Sequence, residues 1–125
     1  MSEQSWIQIE SPSEYFFKEG CFITELLNDP RDQSLSIAQA RVEPGVATRW
    51  HRLRETTERY FILAGQGLVE VGDQPAQQVA AGAVVIIAAG DRQRITNTGS
   101  EDLIFNAVCT PRFEVDNYID CEDDK

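Results

Sequence analysis

The chain contains one histidine, His51, which stands seven residues before Glu58. An imidazole gains and loses a proton near neutral pH, and a carboxylate can hydrogen-bond it or act with it as an acid–base pair. Tyr60 shares the strand parity of Glu58, so its hydroxyl could be directed to the same side. His51 and Glu58 are therefore the candidate catalytic residues. A structural alternative is that His51 lines the core and hydrogen-bonds Glu58.

Arginines flank this segment and a second one downstream. Strand parity places Arg49 on the same side as His51, whereas Arg52 and Arg92 are out of phase with the candidate residues. The guanidinium fork suits a carboxylate or another small anion. We expect Arg49 to bind such a group at the mouth of a pocket, and the remaining arginines to lie on a solvated surface. Six of the 11 lysines and arginines lie in these two segments: Arg49, Arg52, Arg54, Arg59, Arg92 and Arg94.

Short strands are the elements that must position these residues. Clusters of Gly, Pro, Asn and Asp recur about every ten residues and separate runs rich in Val, Ile, Leu and Phe. This pattern predicts an all-β fold, an antiparallel sandwich or barrel. The predicted strands cover residues 21–27, 35–42, 60–63, 68–71, 84–88 and 103–109.

Two local patterns add detail to this prediction. The run 68–71 ends at Gly72 and Asp73, which predicts a hairpin that returns through residues 77–80. Residues 13–18 predict one helical turn, with Ser13 as its N-cap.

Glycines at fixed distances frame the candidate residues. The first segment has Gly45, five residues, His51, one residue, Leu53, four residues, Glu58, six residues and Gly65. This spacing resembles the first motif of the cupin superfamily, in which a second histidine occupies the position of Leu53. The resemblance covers residues 45–65.

A second motif follows at residues 82–97. Its offsets match the second cupin motif, with Gln93 at the position of a third histidine and Ala88 at that of a proline. The matching residues are Gly82, Ala88, Gly90, Gln93 and Asn97. The resemblance implies a single cupin β-barrel, an antiparallel jelly roll or double-stranded β-helix with little helix, over residues 1–113. Residues 114–125 then form an acidic tail.

The resemblance also implies a divalent metal. Cupins hold it through two histidines at positions i and i+2, a glutamate and a third histidine. The matching positions here leave His51, Glu58 and Gln93 as metal ligands, for Mn, Fe, Ni or Zn. Catalytic transition-metal sites usually have three strong ligands and an open position. The alternative is therefore that no metal binds.

By resemblance, the chain is a small cupin that binds a small polar or anionic molecule in the barrel. Arg49, Tyr60 and Gln93 are the predicted ligand contacts. The predicted activity is that of an isomerase, a lyase or a dioxygenase-type enzyme, in which His51 and Glu58 act with a metal or alone. The alternative is a non-catalytic binding protein without metal. A third possibility is an interaction subunit whose acidic tail docks a basic partner.

Composition limits the classes of partner. The 125 residues are enough for one domain, and 21 acidic against 11 basic residues give a net charge of −10. This charge argues against nucleic acid and anionic membranes. Half of it lies in the last twelve residues. The segments around His51 and Gln93 are instead rich in arginine, so an anionic ligand remains compatible with the acidic chain.

Location and assembly are also predicted. Three cysteines without a C-x-x-C spacing indicate reduced thiols. Neither a secretory signal nor an apolar run long enough to span a bilayer is visible, and we expect a cytoplasmic protein. Residues 84–87 are apolar on both faces, which predicts a strand at a packed interface and a homodimer.

Overall fold

Two antiparallel β-sheets pack against each other in the computed structural model, which describes residues 4–124. That part of the chain contains no α-helix, only short 3-10 turns at Val115–Asn117 and Glu122–Asp124. The strands are β1 (Tyr15–Phe17), β2 (Cys21–Leu27), β3 (Ser36–Val42), β4 (His51–Leu53), β5 (Thr57–Ala64), β6 (Gln66–Val71), β7 (Gln77–Ala80), β8 (Val84–Ile87), β9 (Gln93–Asn97), β10 (Leu103–Thr110) and β11 (Tyr118–Asp120).

The strands are not joined in sequence order. The six-stranded sheet has the order β1-β2-β3-β10-β5-β8, and the five-stranded sheet has the order β11-β4-β9-β6-β7. Strands distant in sequence thus become neighbours, as in a jelly roll. The predicted all-β jelly-roll class is confirmed. The predicted hairpin is also present, because β6 pairs with β7 and Val69 lies opposite Gln77.

Alternation along the strands builds the core between the sheets. In β10 every second side chain is buried, including Leu103 and Phe105. In β9 of the other sheet, Gln93, Ile95 and Asn97 are buried in the same way. Burial of each large apolar side chain contributes about 1.5–3 kcal/mol. The same alternation directs polar residues of both sheets inward, which is what places a site there.

The predicted helical turn at residues 13–18 is wrong. Tyr15–Phe17 form β1, which pairs with β2 and sets Phe16 opposite Phe22. These two rings pack edge to face, with centroids 5.2 Å apart. Consecutive aromatic residues favour a pleated surface with cross-strand partners over a helical turn.

The acidic tail contributes a strand to the five-stranded sheet. In β11, Tyr118 lies opposite Leu53 and Asp120 lies opposite His51 of β4. The tail therefore reaches the segment that carries the only histidine.

Among the described residues, no helix has the length and apolar character needed to cross a bilayer.

Candidate functional site

A cavity of about 60 Å³ lies between the two sheets beside His51. This is room for roughly four to six water-sized groups, since one water needs about 10–15 Å³. His51, Glu58 and Tyr60, three of the residues predicted from the sequence, are part of its wall. The structure therefore brings together candidate residues from both sheets.

His51 begins β4 and is 2% exposed. Its Nδ1 lies 2.7 Å from the carbonyl oxygen of Arg49. Because a carbonyl oxygen only accepts, Nδ1 carries the proton and donates it. The other nitrogen, Nε2, lies 3.6 Å from Oε1 of Glu19. In the neutral ring Nε2 is thus an acceptor, and the Glu19 carboxylate would stabilise the imidazolium if Nε2 gained a proton.

Glu58 approaches the same cavity from β5 in the opposite sheet. Its side chain is buried, and Oε1 has no hydrogen-bond partner among the described residues. Burial raises the pKa of Glu58 to about 7 against an ordinary 4.5, and the charge of Glu19 adds to this rise. His51 and the neighbouring side chains of Gln93 and Cys109 oppose it. A carboxyl of this kind is partly protonated near neutral pH, so it can act as acid or base there.

Tyr60 and Gln93 are bonded to each other. The Tyr60 hydroxyl donates to Oε1 of Gln93, and both side chains are almost fully buried. Tyr60 lines the cavity, whereas Gln93 lies behind it on β9, opposite His51 in the sheet. The nitrogen of Gln93, Nε2, is buried without a hydrogen bond of ordinary geometry within the described chain, but the Gln93 side chain lies close enough to Glu58 to lower the pKa of that carboxyl.

The predicted metal ligands do not fit a divalent metal centre. Oε1 of Gln93 already accepts the Tyr60 hydroxyl, and Leu53 is packed in the core at the position of a second histidine. Over residues 4–124, no three His, Cys, Asp or Glu side chains form a group that could hold a metal ion. His51 and Glu58 remain, which is fewer strong ligands than a catalytic metal site usually has.

Arg49 is not brought to the cavity. Its Nε lies 2.5 Å from Oδ2 of Asp120 in β11, on the surface, and nearly half of each side chain is exposed. Only the backbone carbonyl of Arg49 reaches His51. The strand that the tail adds beside β4 thus supplies the carboxylate that this guanidinium binds. A role of Arg49 in binding a ligand anion stays a prediction.

Two wall residues that contact His51 were missed by sequence reasoning. Glu19 lies in the turn between β1 and β2, and its carbonyl accepts a hydrogen bond from the backbone nitrogen of Arg49 at 2.8 Å. Gly20 completes that turn with φ +105, a conformation that favours glycine. The Glu-Gly turn between two apolar runs was the only local signal, and nothing in it pointed to His51.

Tyr118 is the second missed residue. It lies on β11, and its ring stacks on His51 with centroids 5.2 Å apart and planes 18° apart. Its hydroxyl is buried with no hydrogen-bond partner in the described part of the chain. The weak alternation of the tail was visible in the sequence, but the cavity wall it builds depends on β11 pairing with β4.

Comparison with known proteins identifies the family. A profile of the cupin domain matches residues 38–110. The chain belongs to the cupin family. This confirms the resemblance of the two motifs, which both lie inside the matched range. A search of curated proteins finds no significant match for this cupin.

Solved structures share the fold of this cupin. A predicted oxalate decarboxylase from Thermotoga maritima is 25% identical, over 81% of this chain and 92% of that chain, with a TM-score of 0.70. A Streptomyces PAC13 variant with uridine is 18% identical, over 96% and 91%, with a TM-score of 0.73. The Lactobacillus farciminis oxalate decarboxylase formate complex is 22% identical, over 86% of this chain but 33% of that chain, with a TM-score of 0.74. These likenesses concern the fold.

Proposed function

We propose that this cupin binds a small polar organic molecule in the cavity between its sheets and exchanges a proton with it through Glu58, as an isomerase or lyase. The observation that carries the proposal is Oε1 of Glu58, a buried carboxyl oxygen at the cavity wall without a hydrogen-bond partner among the described residues. Leaving such an atom unpaired costs about 1–3 kcal/mol or more. A ligand that bonds to it offsets this cost.

The acid–base properties of the wall support proton transfer. The pKa of Glu58 is raised to about 7 by burial, which suits an acid or base working at neutral pH. The tautomer of His51 leaves Nε2 as a second acceptor, with Glu19 behind it to stabilise the charge that forms. One group can take a proton from the ligand while the other returns one elsewhere. That sequence is an isomerisation. If the second group instead protonates a leaving group on the neighbouring carbon, the electron pair of the broken C–H bond forms a double bond and the reaction is an elimination.

The second candidate is a binding protein without turnover. Aromatic rings make up much of the wall, including Phe17, Phe105 and Phe113. Tyr60 and Gln93 are committed to each other. Both observations reduce the number of groups free to take part in chemistry, which favours binding alone.

An NMR screen separates these proposals. The protein is mixed with small alcohols, amides, amines, hydroxy acids and carbonyl compounds, and shifts are followed at the cavity residues. Hits are then incubated in D2O with the wild type, with Glu58→Gln and with Glu43→Gln. The last variant makes the same substitution at an exposed position beside a turn.

Deuterium incorporation or product formation that Glu58→Gln abolishes and Glu43→Gln retains is the expected result. Ligands that bind at the cavity and remain unchanged in D2O would support the non-catalytic alternative. A screen without any ligand that shifts the cavity residues would contradict both.

A further inference from the structure

We infer that the ligand of this cavity is a small organic cation, a primary amine with a short apolar body. The inference rests on the proposed function, because it names the class of molecule that occupies the same cavity. Three properties of the wall carry it: its charge, the direction of its hydrogen bonds and its aromatic surface.

The charge of the wall is acidic. Among the described residues, its carboxyl groups are those of Glu19, Glu25 and Glu58, and its one basic group is the imidazole of His51. No lysine or arginine of the described chain lines it. Above pH 7, where Glu58 is ionised, an anionic ligand would be placed among like charges, whereas a cation would face opposite ones.

One ammonium group lies near the wall without lining the cavity. Nζ of Lys18 lies 4.9 Å from the centroid of the Tyr118 ring and 5.9 Å from that of Phe17. Rings in such contacts attract cations through the negative charge of their faces. One cation of the chain therefore already lies against aromatic rings that line the cavity.

The polar atoms of the wall accept hydrogen bonds more readily than they donate them. Among the described residues Oε1 of Glu58 has no hydrogen-bond partner and accepts when the carboxyl is ionised; the Tyr118 hydroxyl, which also has no partner there, can accept as well as donate. Nδ1 of His51 donates to a carbonyl, so Nε2 of the neutral ring is an acceptor. The Tyr60 hydroxyl donates its proton to Oε1 of Gln93, so it has no further proton to donate. A primary ammonium carries three N–H donors, which matches a wall rich in acceptors.

The remaining surface fits an apolar body. The rings of Phe17, Phe105 and Phe113 and the side chain of Leu53 line the cavity. Its volume admits roughly four to six water-sized groups. An alkyl chain of a few carbons bearing one ammonium group meets both conditions. The carboxylates then hold the charge and the rings pack on the chain.

Three probes of nearly equal size test the charge of the ligand. The full-length protein is titrated at constant ionic strength with n-butylammonium, 1-butanol and butyrate, and binding is followed by chemical shifts and calorimetry. We expect n-butylammonium to bind at least about tenfold more tightly than either of the others, which corresponds to about 1.4 kcal/mol.

Variants locate the bound amine. Above pH 7, where Glu58 is ionised, Glu58→Gln should weaken n-butylammonium at least about tenfold and 1-butanol hardly at all, since only the charged ligand loses its counter-charge. Glu43→Gln, at an exposed position beside a turn, should change neither. Ala38→Leu narrows the cavity and should abolish amine binding, so the test stands even if Glu58→Gln folds poorly. Amine binding retained in Ala38→Leu would place the amine elsewhere and overturn the inference.

Different binding results would overturn this inference and the proposed function. Equal binding of 1-butanol and n-butylammonium, or tighter binding of butyrate, would overturn the cation and leave the cavity as the binding site. If none of the three probes binds, the screen of the preceding section decides. A neutral or anionic hit that depends on Glu58 overturns the cation alone, and no hit at all overturns both.

Discussion

The ring of Tyr118 stacks on the imidazole of His51, with centroids 5.2 Å apart and planes 18° apart. The two residues are far apart in sequence and meet because β11 adds to the sheet beside β4. A backbone hydrogen bond next to these strands also joins the tail to the segment before β4: the nitrogen of Cys121 donates to the carbonyl of Trp50 at 2.9 Å. The acidic tail thus supplies one wall of the cavity.

Two substitutions of Tyr118 should separate the contributions of its ring and its hydroxyl to stability. Tyr118→Ala removes a buried ring and should lower the free energy of unfolding by about 3 kcal/mol. Tyr118→Phe removes a hydroxyl that has no partner within the described residues, and should leave stability unchanged within about 0.5 kcal/mol or raise it. Urea denaturation measures both. A Tyr118→Phe loss as large as that of Tyr118→Ala would show that the hydroxyl is bonded.

The free energy of unfolding should depend on pH through the titration of Glu58. Its pKa in the folded state is about 7, above the ordinary value of 4.5. The protonated carboxyl is therefore favoured by folding, and its contribution is complete below pH 4.5 and lost as the pH rises through 7. Glu58→Gln keeps a neutral side chain at every pH.

The difference in free energy of unfolding between Glu58→Gln and the wild type should accordingly grow in favour of the variant from pH 4.5 to above pH 7. The expected change is on the order of 3 kcal/mol. Denaturant titrations at several pH values measure it, with Glu43→Gln as the matched control. A constant difference across this range would show that Glu58 titrates as an ordinary carboxyl.

Alanine substitutions at two of the motif glycines should lower the stability of the protein to different extents. Gly45 and Gly65 both have positive φ, +80 and +86, so either substitution strains the backbone by about 1–2 kcal/mol. A Cβ at Gly65 would also stand 2.6 Å from the carbonyl oxygen of Asp102, whereas one at Gly45 meets no atom of the described residues within 4 Å. Gly65→Ala should therefore cost about 1–3 kcal/mol more than Gly45→Ala. Thermal and urea unfolding of both variants check this, and equal losses would contradict it.

The homodimer predicted from the sequence remains a proposal. In the single chain, Ile87 of β8 is buried, but Val84 and Ile86 are 56% and 69% exposed, and Phe61 of the adjacent β5 is 44% exposed. An exposed apolar face at a sheet edge favours association with a second copy. Light scattering should give twice 14.1 kDa.

A charge placed on this face tests the dimer. Ile86→Asp should give the monomer mass, while Ile9→Asp, at a site 85% exposed and outside the strands, should leave the dimer intact. A wild-type particle of 14.1 kDa at micromolar concentration would contradict the proposal.

Much of the fold could be predicted because alternation is a local property. The predicted strand at residues 21–27 has the bounds of β2, and the hairpin of β6 and β7 followed from its turn residues. Where local signals competed, the prediction failed: Ser13 suggested a cap, but the aromatic residues after it found partners in β2. Cross-strand packing outweighed the weak preference for a turn.

The site could be predicted only in part. His51 and Glu58 face one cavity because strand parity and motif spacing constrain them. Parity says nothing about which residue of a distant segment completes the wall, so Glu19 and Tyr118 were not found. It also could not foresee that Asp120 would bind the guanidinium of Arg49.

By itself, the sequence determined the all-β class, the family and the pair of residues that face inward, since each depends on spacing along the chain. The tertiary structure decided the rest. It placed Tyr118 on His51, left Oε1 of Glu58 without a partner among the described residues and kept the Arg49 side chain outside the cavity. The physical reason is that charge, burial and hydrogen-bond direction in the cavity come from segments that meet only after the two sheets close on each other.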